Sequence, residues 1–234
     1  MRYGGSACYS ESRWKVKAMM LNKREGKDLM RNVSYAMCAL LLAALPAVAQ
    51  KPAAAVPDPG CVGGKPVAPV KIEVFSDYQC PACREFYLAT MRQVLTEYAD
   101  AGKVCVVYRE FPLTMHKYAR DAAKYGAAAM RMDQRTWALV TDALYQNQDK
   151  WEQDGKIEPF VAAVLNKEDL ARLHKEMNNP IIETIIASDI ELAKKLEVNS
   201  TPTFYVTGKG KTEKVAGAIQ FPVLKRYVDY LLAP

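Results

Sequence analysis

Cys80 and Cys83 stand in the run Cys80-Pro81-Ala82-Cys83, a spacing at which two thiols can form and break a disulfide. The stretch ahead of them, Val70-Lys71-Ile72-Glu73-Val74-Phe75, reads as a buried strand, and Arg84 to Tyr98 reads as an amphipathic helix. Cys80 therefore falls at a helix start, with Cys83 one turn further on. Unsatisfied backbone N–H groups and the positive end of the helix dipole favour an anion there, so Cys80 ionises more easily than an ordinary thiol. The chemistry that follows is thiol–disulfide exchange. A half zinc site is the competing use of such a pair, but zinc takes four ligands, and no second C-x-x-C or H-x3-5-H run occurs in the chain.

The elements that must position the pair follow in order. The first strand covers 70–76 and the cysteine helix roughly 81–99, ended by Asp100-Ala101-Gly102-Lys103. The β-branched run Val104-Cys105-Val106-Val107-Tyr108-Arg109 is a second buried strand, and strand–helix–strand makes a parallel pair through a right-handed crossover. From about 115 to 197 helical periods take over: 118–130, 134–146, 157–165, then 166–177 with Asn166 as N-cap, and 181–196 after Pro180. This block is a helical subdomain inserted between strands. Thr203-Phe204-Tyr205-Val206, a turn at Gly208-Lys209-Gly210 and a strand from Lys211 to Val215 form an antiparallel hairpin, and a last helix spans 221–232.

The net charge of +6 is concentrated at the N-terminus, where residues 1–49 hold eight Lys/Arg and three Asp/Glu; the remainder is close to neutral. That balance gives no reason to expect nucleic acid or an anionic membrane as a partner. Arg31 followed by the apolar run Val33 to Leu45 and by Ala47-Val48-Ala49 has the form of a secretory signal peptide over 30–49, cleaved to leave Gln50 first. The apolar run is short of the roughly 20 residues that span a bilayer, and an uncleaved anchor is the lesser alternative. Residues 1–29 are polar and basic, unusual ahead of such a leader, and the expected start of translation is Met30. Residues 50–69 are rich in Pro, Ala and Gly and read as an irregular lead-in to the domain at 70–234. Export puts the thiols in an oxidising compartment.

Strand, C-P-x-C helix, strand, helical insertion, then Thr201-Pro202-Thr203-Phe204 leading a hairpin and a terminal helix, is similar to the DsbA-like branch of the thioredoxin superfamily over about Val70 to Leu232. The most specific parts are the run from Phe75 to Cys83, Tyr108-Arg109-Glu110-Phe111-Pro112-Leu113, Trp137 with Tyr145-Gln146-Asn147-Gln148, and Asn199 to Phe204. The resemblance implies an α/β thioredoxin-like fold with a helical subdomain between the second strand and the cis-proline strand. It implies that Cys80 is the exposed nucleophile, Cys83 the buried resolving thiol, and Pro202 a cis-proline facing the disulfide. A cis bond there presents the backbone of Thr201 to an extended substrate. Ala82 departs from the pattern, because strongly oxidising relatives carry a His there; a less oxidising pair is expected. Glu73 is a candidate buried acid beneath the pair, as acids in this strand are in relatives, with an ordinary charge on the strand's exposed end as the alternative.

Of the six cysteines, Cys8 and Cys38 precede the cleavage site, leaving Cys61 and Cys105 beside the redox pair. A structural Cys61–Cys105 disulfide would pin the lead-in to the second strand; the alternative is a buried thiol at Cys105 and a free one at Cys61. His116 is expected as a solvated residue at a helix start and His174 on a helix surface, with Trp137, Trp151, Tyr118 and Tyr125 as packing residues. The expected function is that of an exported thiol:disulfide oxidoreductase, a disulfide donor to reduced exported proteins, with a quinone-linked membrane reoxidase implied by the resemblance and no cofactor or metal required. The rivals are a reductase or isomerase on the same fold, and a peptide-binding or chaperone module with a structural disulfide.

Overall fold

The computed structural model describes residues 60–234. The signal-peptide, cleavage and start-site expectations, and residues 50–59 of the lead-in, lie outside the described residues.

Strand β1 (Val70–Ser76) alternates its side chains between two covered faces. Val70, Ile72 and Val74 join the main core, whereas Phe75 points the other way into a cluster with Ala193 and Val198. Helix α1 starts at Pro81 and is α-helical to Phe86; the chain stays helical to Ala99 through π-helical turns at Tyr87–Met91 and Leu95–Ala99 on either side of an α-turn at Arg92–Val94. Pro81 suits the first turn of a helix because its missing N–H has no intrahelical partner there to lose. Strand β2 (Val104–Glu110) pairs parallel to β1, register Val70 with Val104, and runs one residue past its expected end.

Six helices then lie between β2 and the next strand: α2 (Ala119–Met132), α3 (Gln134–Gln146), α4 (Gln148–Trp151), α5 (Glu158–Ala162), α6 (Lys167–Met177) and α7 (Ile181–Lys195). Asn166 caps α6 by accepting from the Asp169 N–H at 2.8 Å. The apolar segment 157–165 keeps a helix only over the five residues of α5, and the short α4 carries no apolar period long enough to announce itself. Trp137 and Trp151 are fully buried, and the Trp151 indole N–H donates to the Leu144 carbonyl. The sheet is completed by β3 (Thr203–Gly208), antiparallel to β1, and β4 (Lys211–Ala216), antiparallel to β3, giving the order β2-β1-β3-β4. Helix α8 (Phe221–Leu232) buries Phe221, Leu224, Val228 and Leu231 in the main core. This is a mixed α/β thioredoxin-like fold with its helical subdomain between the second and third strands.

Candidate active site

Cys80 is the N-cap of α1, with extended backbone (φ −80°, ψ 122°), and its carbonyl accepts from the N–H groups of Cys83 and Arg84. Cys80 and Cys83 carry free thiols. Cys83 is 1% exposed and Cys80 only 7%, so the sulfur expected to be exposed is largely covered. The cis Thr201–Pro202 segment lies against it: the Thr201 carbonyl is 3.5 Å from the Cys80 sulfur, and the Thr201 hydroxyl, buried without another partner, acts on the same atom.

The two thiols are driven in opposite directions. The Cys83 S–H donates to the Cys80 sulfur and, helped by the Thr201 hydroxyl and the N–H groups of Cys83 and Ala82, lowers the Cys80 pKa to about 5 against the opposing effect of burial. Burial pushes Cys83 well up, and the charge on Cys80 pushes it further. Cys80 is then a thiolate near neutral pH while Cys83 keeps its proton. The helix start contributes its backbone N–H groups, but the partner thiol is the largest single cause.

Three residues hold the approach to Cys80 in place. Gln148, buried in α4, donates through Nε2 to the carbonyls of Tyr78 (2.7 Å) and Cys80 (3.1 Å), tying the insertion to the strand–helix turn. The buried Asp77 carboxylate accepts from the N–H groups of Gln79 and Leu113, and the His116 ring lies 2.7 Å from it. His116 is thus not a freely solvated helix-start residue; it precedes α2 and braces the loop beside the cysteines. His174 sits on the surface of α6 against Glu158.

Glu73 is not brought to the thiols. Its neighbours Ile72 and Val74 face the α1 side of the sheet, so by strand alternation Glu73 faces α7, where Arg109 holds its carboxylate at 2.7 Å and Lys71 at 3.2 Å. Arg109 also pairs with Asp189 of α7, whose pKa burial raises to about 6 despite that partner. The acid on the α1 side is Glu110, at the end of β2. It is completely buried, its carboxyl oxygens have no hydrogen-bond partner, and it shares with the Tyr78 hydroxyl the space beside Gly126, where a Cβ would collide with both.

Burial pushes the Glu110 pKa well above the usual glutamate value, so the folded chain binds this proton more tightly than the unfolded chain. Its contribution to stability is full below pH ~4.3 and is lost as pH rises toward the folded value, by about 1.4 kcal/mol per pH unit. Asp189 adds a slope of the same sign up to pH about 6. Urea unfolding of Glu110→Gln beside the parent chain from pH 4.5 to 7.5 should show the parent losing ground steadily against the variant; parallel curves would remove Glu110 from this account.

Cys61 and Cys105 are joined by a disulfide with Cα atoms 5.4 Å apart. Beside it Val62 N–H donates to the Val106 carbonyl, Val106 N–H donates to that of Gly63, and the Gln134 amide donates to the carbonyls of Cys61 and Gly64. Among the described residues no cluster of three or more His, Cys, Asp or Glu could hold a metal ion.

A paired dithiol at a helix N-terminus, faced by a cis-proline on a mixed sheet, defines a thiol-redox protein of thioredoxin type. The thioredoxin family model matches residues 58–229. The chain is 32% identical over 149 residues to a probable disulfide bond formation protein D of Bacillus cereus, covering 62% of this chain and 68% of that one. A thioredoxin-like oxidoreductase from Silicibacter pomeroyi superposes with a TM-score of 0.57 at 28% identity over 71% of this chain and 88% of its own. α-DsbA1 of Wolbachia pipientis gives 0.61 at 23% identity over 72% and 88%, a likeness of fold. The chain belongs to the thioredoxin family and is a thiol:disulfide oxidoreductase.

Proposed function

We propose that this protein is an exported disulfide donor whose working disulfide joins Cys80 and Cys83. The observation that carries the direction is the setting of Cys80 at the α1 N-cap against Thr201 and Cys83, which brings its pKa to about 5 while burial pushes Cys83 well up. Stabilising the Cys80 thiolate stabilises the reduced pair, and a pair stable when reduced is a good oxidant of other thiols. A substrate thiolate attacks the Cys80 sulfur, forming a mixed disulfide and expelling Cys83 as thiolate. A second substrate thiolate then attacks the substrate sulfur and expels Cys80, which leaves readily because its thiolate is stable near neutral pH.

The substrate segment runs alongside Thr201. With Cys80 ionised its sulfur no longer donates to the Thr201 carbonyl, which is then open to a substrate N–H, as in strand addition. Ala82 adds no charge, so the pair relies on Cys83, Thr201 and backbone N–H groups, which fits a less extreme oxidant than relatives with a His there. Export rests on the leader read over 30–49, and reoxidation is assigned to a quinone-linked membrane partner.

Oxidised protein mixed with a reduced, unfolded two-cysteine peptide tests this. Expected is near-complete transfer of one disulfide to the peptide without glutathione. If the reduced protein instead breaks the peptide's disulfide, the direction is that of a reductase; if nothing passes either way, the disulfide-donor reading falls.

A further inference from the structure

The polar groups beneath Cys83 form a chain that ends on its sulfur. Ser76, the last residue of β1 and 2% exposed, shares the α1-side face with Ile72 and Val74. Its hydroxyl lies 2.8 Å from that of Tyr145 on α3, which lies 2.6 Å from that of Tyr108 on β2; all three are buried. The Ser76 hydroxyl and the Asp77 N–H act on the Cys83 sulfur, each working against the burial that raises its pKa.

A thiolate accepts hydrogen bonds and donates none, which fixes the direction of the whole chain. With Cys83 ionised, Ser76 must donate to sulfur, so it accepts from Tyr145, and Tyr145 in turn accepts from Tyr108. Burial pushes both tyrosines well above their ordinary range, so each keeps the proton it must donate. In the reduced enzyme the roles differ, because Cys83 keeps its proton and donates it to Cys80. The hydroxyl chain is therefore needed at the moment when Cys83 carries charge.

We propose that Ser76 is a catalytic residue that donates its O–H to the Cys83 sulfur as that sulfur takes up charge, and that Tyr145 and Tyr108 are positioning residues that orient it. The proposal rests on the exchange reading above. In the step concerned, a substrate thiolate attacks the Cys80 sulfur, a new S–S bond forms there, the Cys80–Cys83 bond breaks, and its electron pair goes to Cys83; no proton moves. Cys83 is buried, so water cannot solvate the departing charge, and Ser76 and the Asp77 N–H stand in for it. In reverse the same donors stabilise the Cys83 thiolate that resolves a mixed disulfide. Among the groups facing Cys83, Cys80 is the one whose charge changes in the working range, since Tyr108 and Tyr145 stay neutral.

The test uses the full chain with reduced glutathione as the attacking thiol, in the parent, Ser76→Ala and Tyr145→Phe. Loss of a hydrogen bond to a charged sulfur should slow attack on the oxidised Ser76→Ala protein by about 10- to 100-fold, and Tyr145→Phe, which keeps the ring, by roughly 5-fold. Resolution of the glutathione mixed disulfide by Cys83 should shift to higher pH in both variants, with the Cys80 pKa, read from thiolate absorbance, unchanged. Parent-like rates and pH profiles in the folded variants would overturn the proposal. So would a change confined to the Cys80 pKa, which would mark Ser76 as a determinant of the other thiol. A parent protein that does not exchange with glutathione at all would instead overturn the exchange reading beneath it.

Discussion

Replacing Cys80 with serine should abolish disulfide transfer, and replacing Cys83 with serine should trap substrate on Cys80. A serine at 80 cannot form the mixed disulfide through which the proposed exchange passes, so no residual rate is expected. Without a sulfur at 83, the mixed disulfide on Cys80 has no internal thiol to resolve it, and the adduct accumulates and is seen on a non-reducing gel. The same position separates two origins of the low Cys80 pKa. Since the Cys83 S–H is the largest cause of the drop to about 5, Cys83→Ala should move Cys80 back toward the ordinary thiol range. Cys83→Ser, which keeps an O–H donor, should hold it well below that range. Equal Cys80 pKa values in the two variants would assign the effect to the helix start and Thr201 instead.

The second large effect lies away from the redox pair. Removing the Cys61–Cys105 disulfide by double serine substitution should cost about 4 kcal/mol of stability, as the loop-entropy relation gives for a 44-residue separation. That is a large share of a typical domain's margin of about 10 kcal/mol. The hydrogen bonds from Val62, Val106 and Gln134 remain and keep part of the lead-in attached. Cys105 sits one residue off the β2 positions that face α1, so the Cys80 pKa should stay where it is. Guanidinium unfolding of the double variant checks the first point, and a midpoint equal to the parent's would refute it.

The strands and the longer helices were legible because their signals are local. Val104 to Arg109 is β-branched and apolar, Gln134 to Gln146 places Trp137, Val140 and Leu144 at helical spacing, and Asn166 sits where a cap must sit. The cysteine pair was legible for the same reason. What the sequence did not disclose depends on which face a residue takes and on what arrives from far along the chain. Strand alternation could have set Glu73 apart from Val74 and put Ser76 and Glu110 on the α1 side, because strands β1 and β2 were both visible. That Thr201 and Pro202 face Cys80 came from the resemblance alone, since Thr201 reaches it from 121 residues away, and the near-complete cover over the sulfur was not foreseen. Nor was the donor role of Gln148, whose partners lie 68 and 70 residues back, although the run containing it stood out.

The most direct measurement is the reduction potential of the Cys80–Cys83 pair in the full chain against glutathione buffers, with Cys80→Ala as the control that identifies the responding cysteines. A disulfide donor with Cys80 held near pKa 5 should fall at roughly −120 to −180 mV. A value near about −270 mV would contradict the donor direction in favour of a reductase, and one below about −300 mV would mark a structural bridge and end the catalytic account.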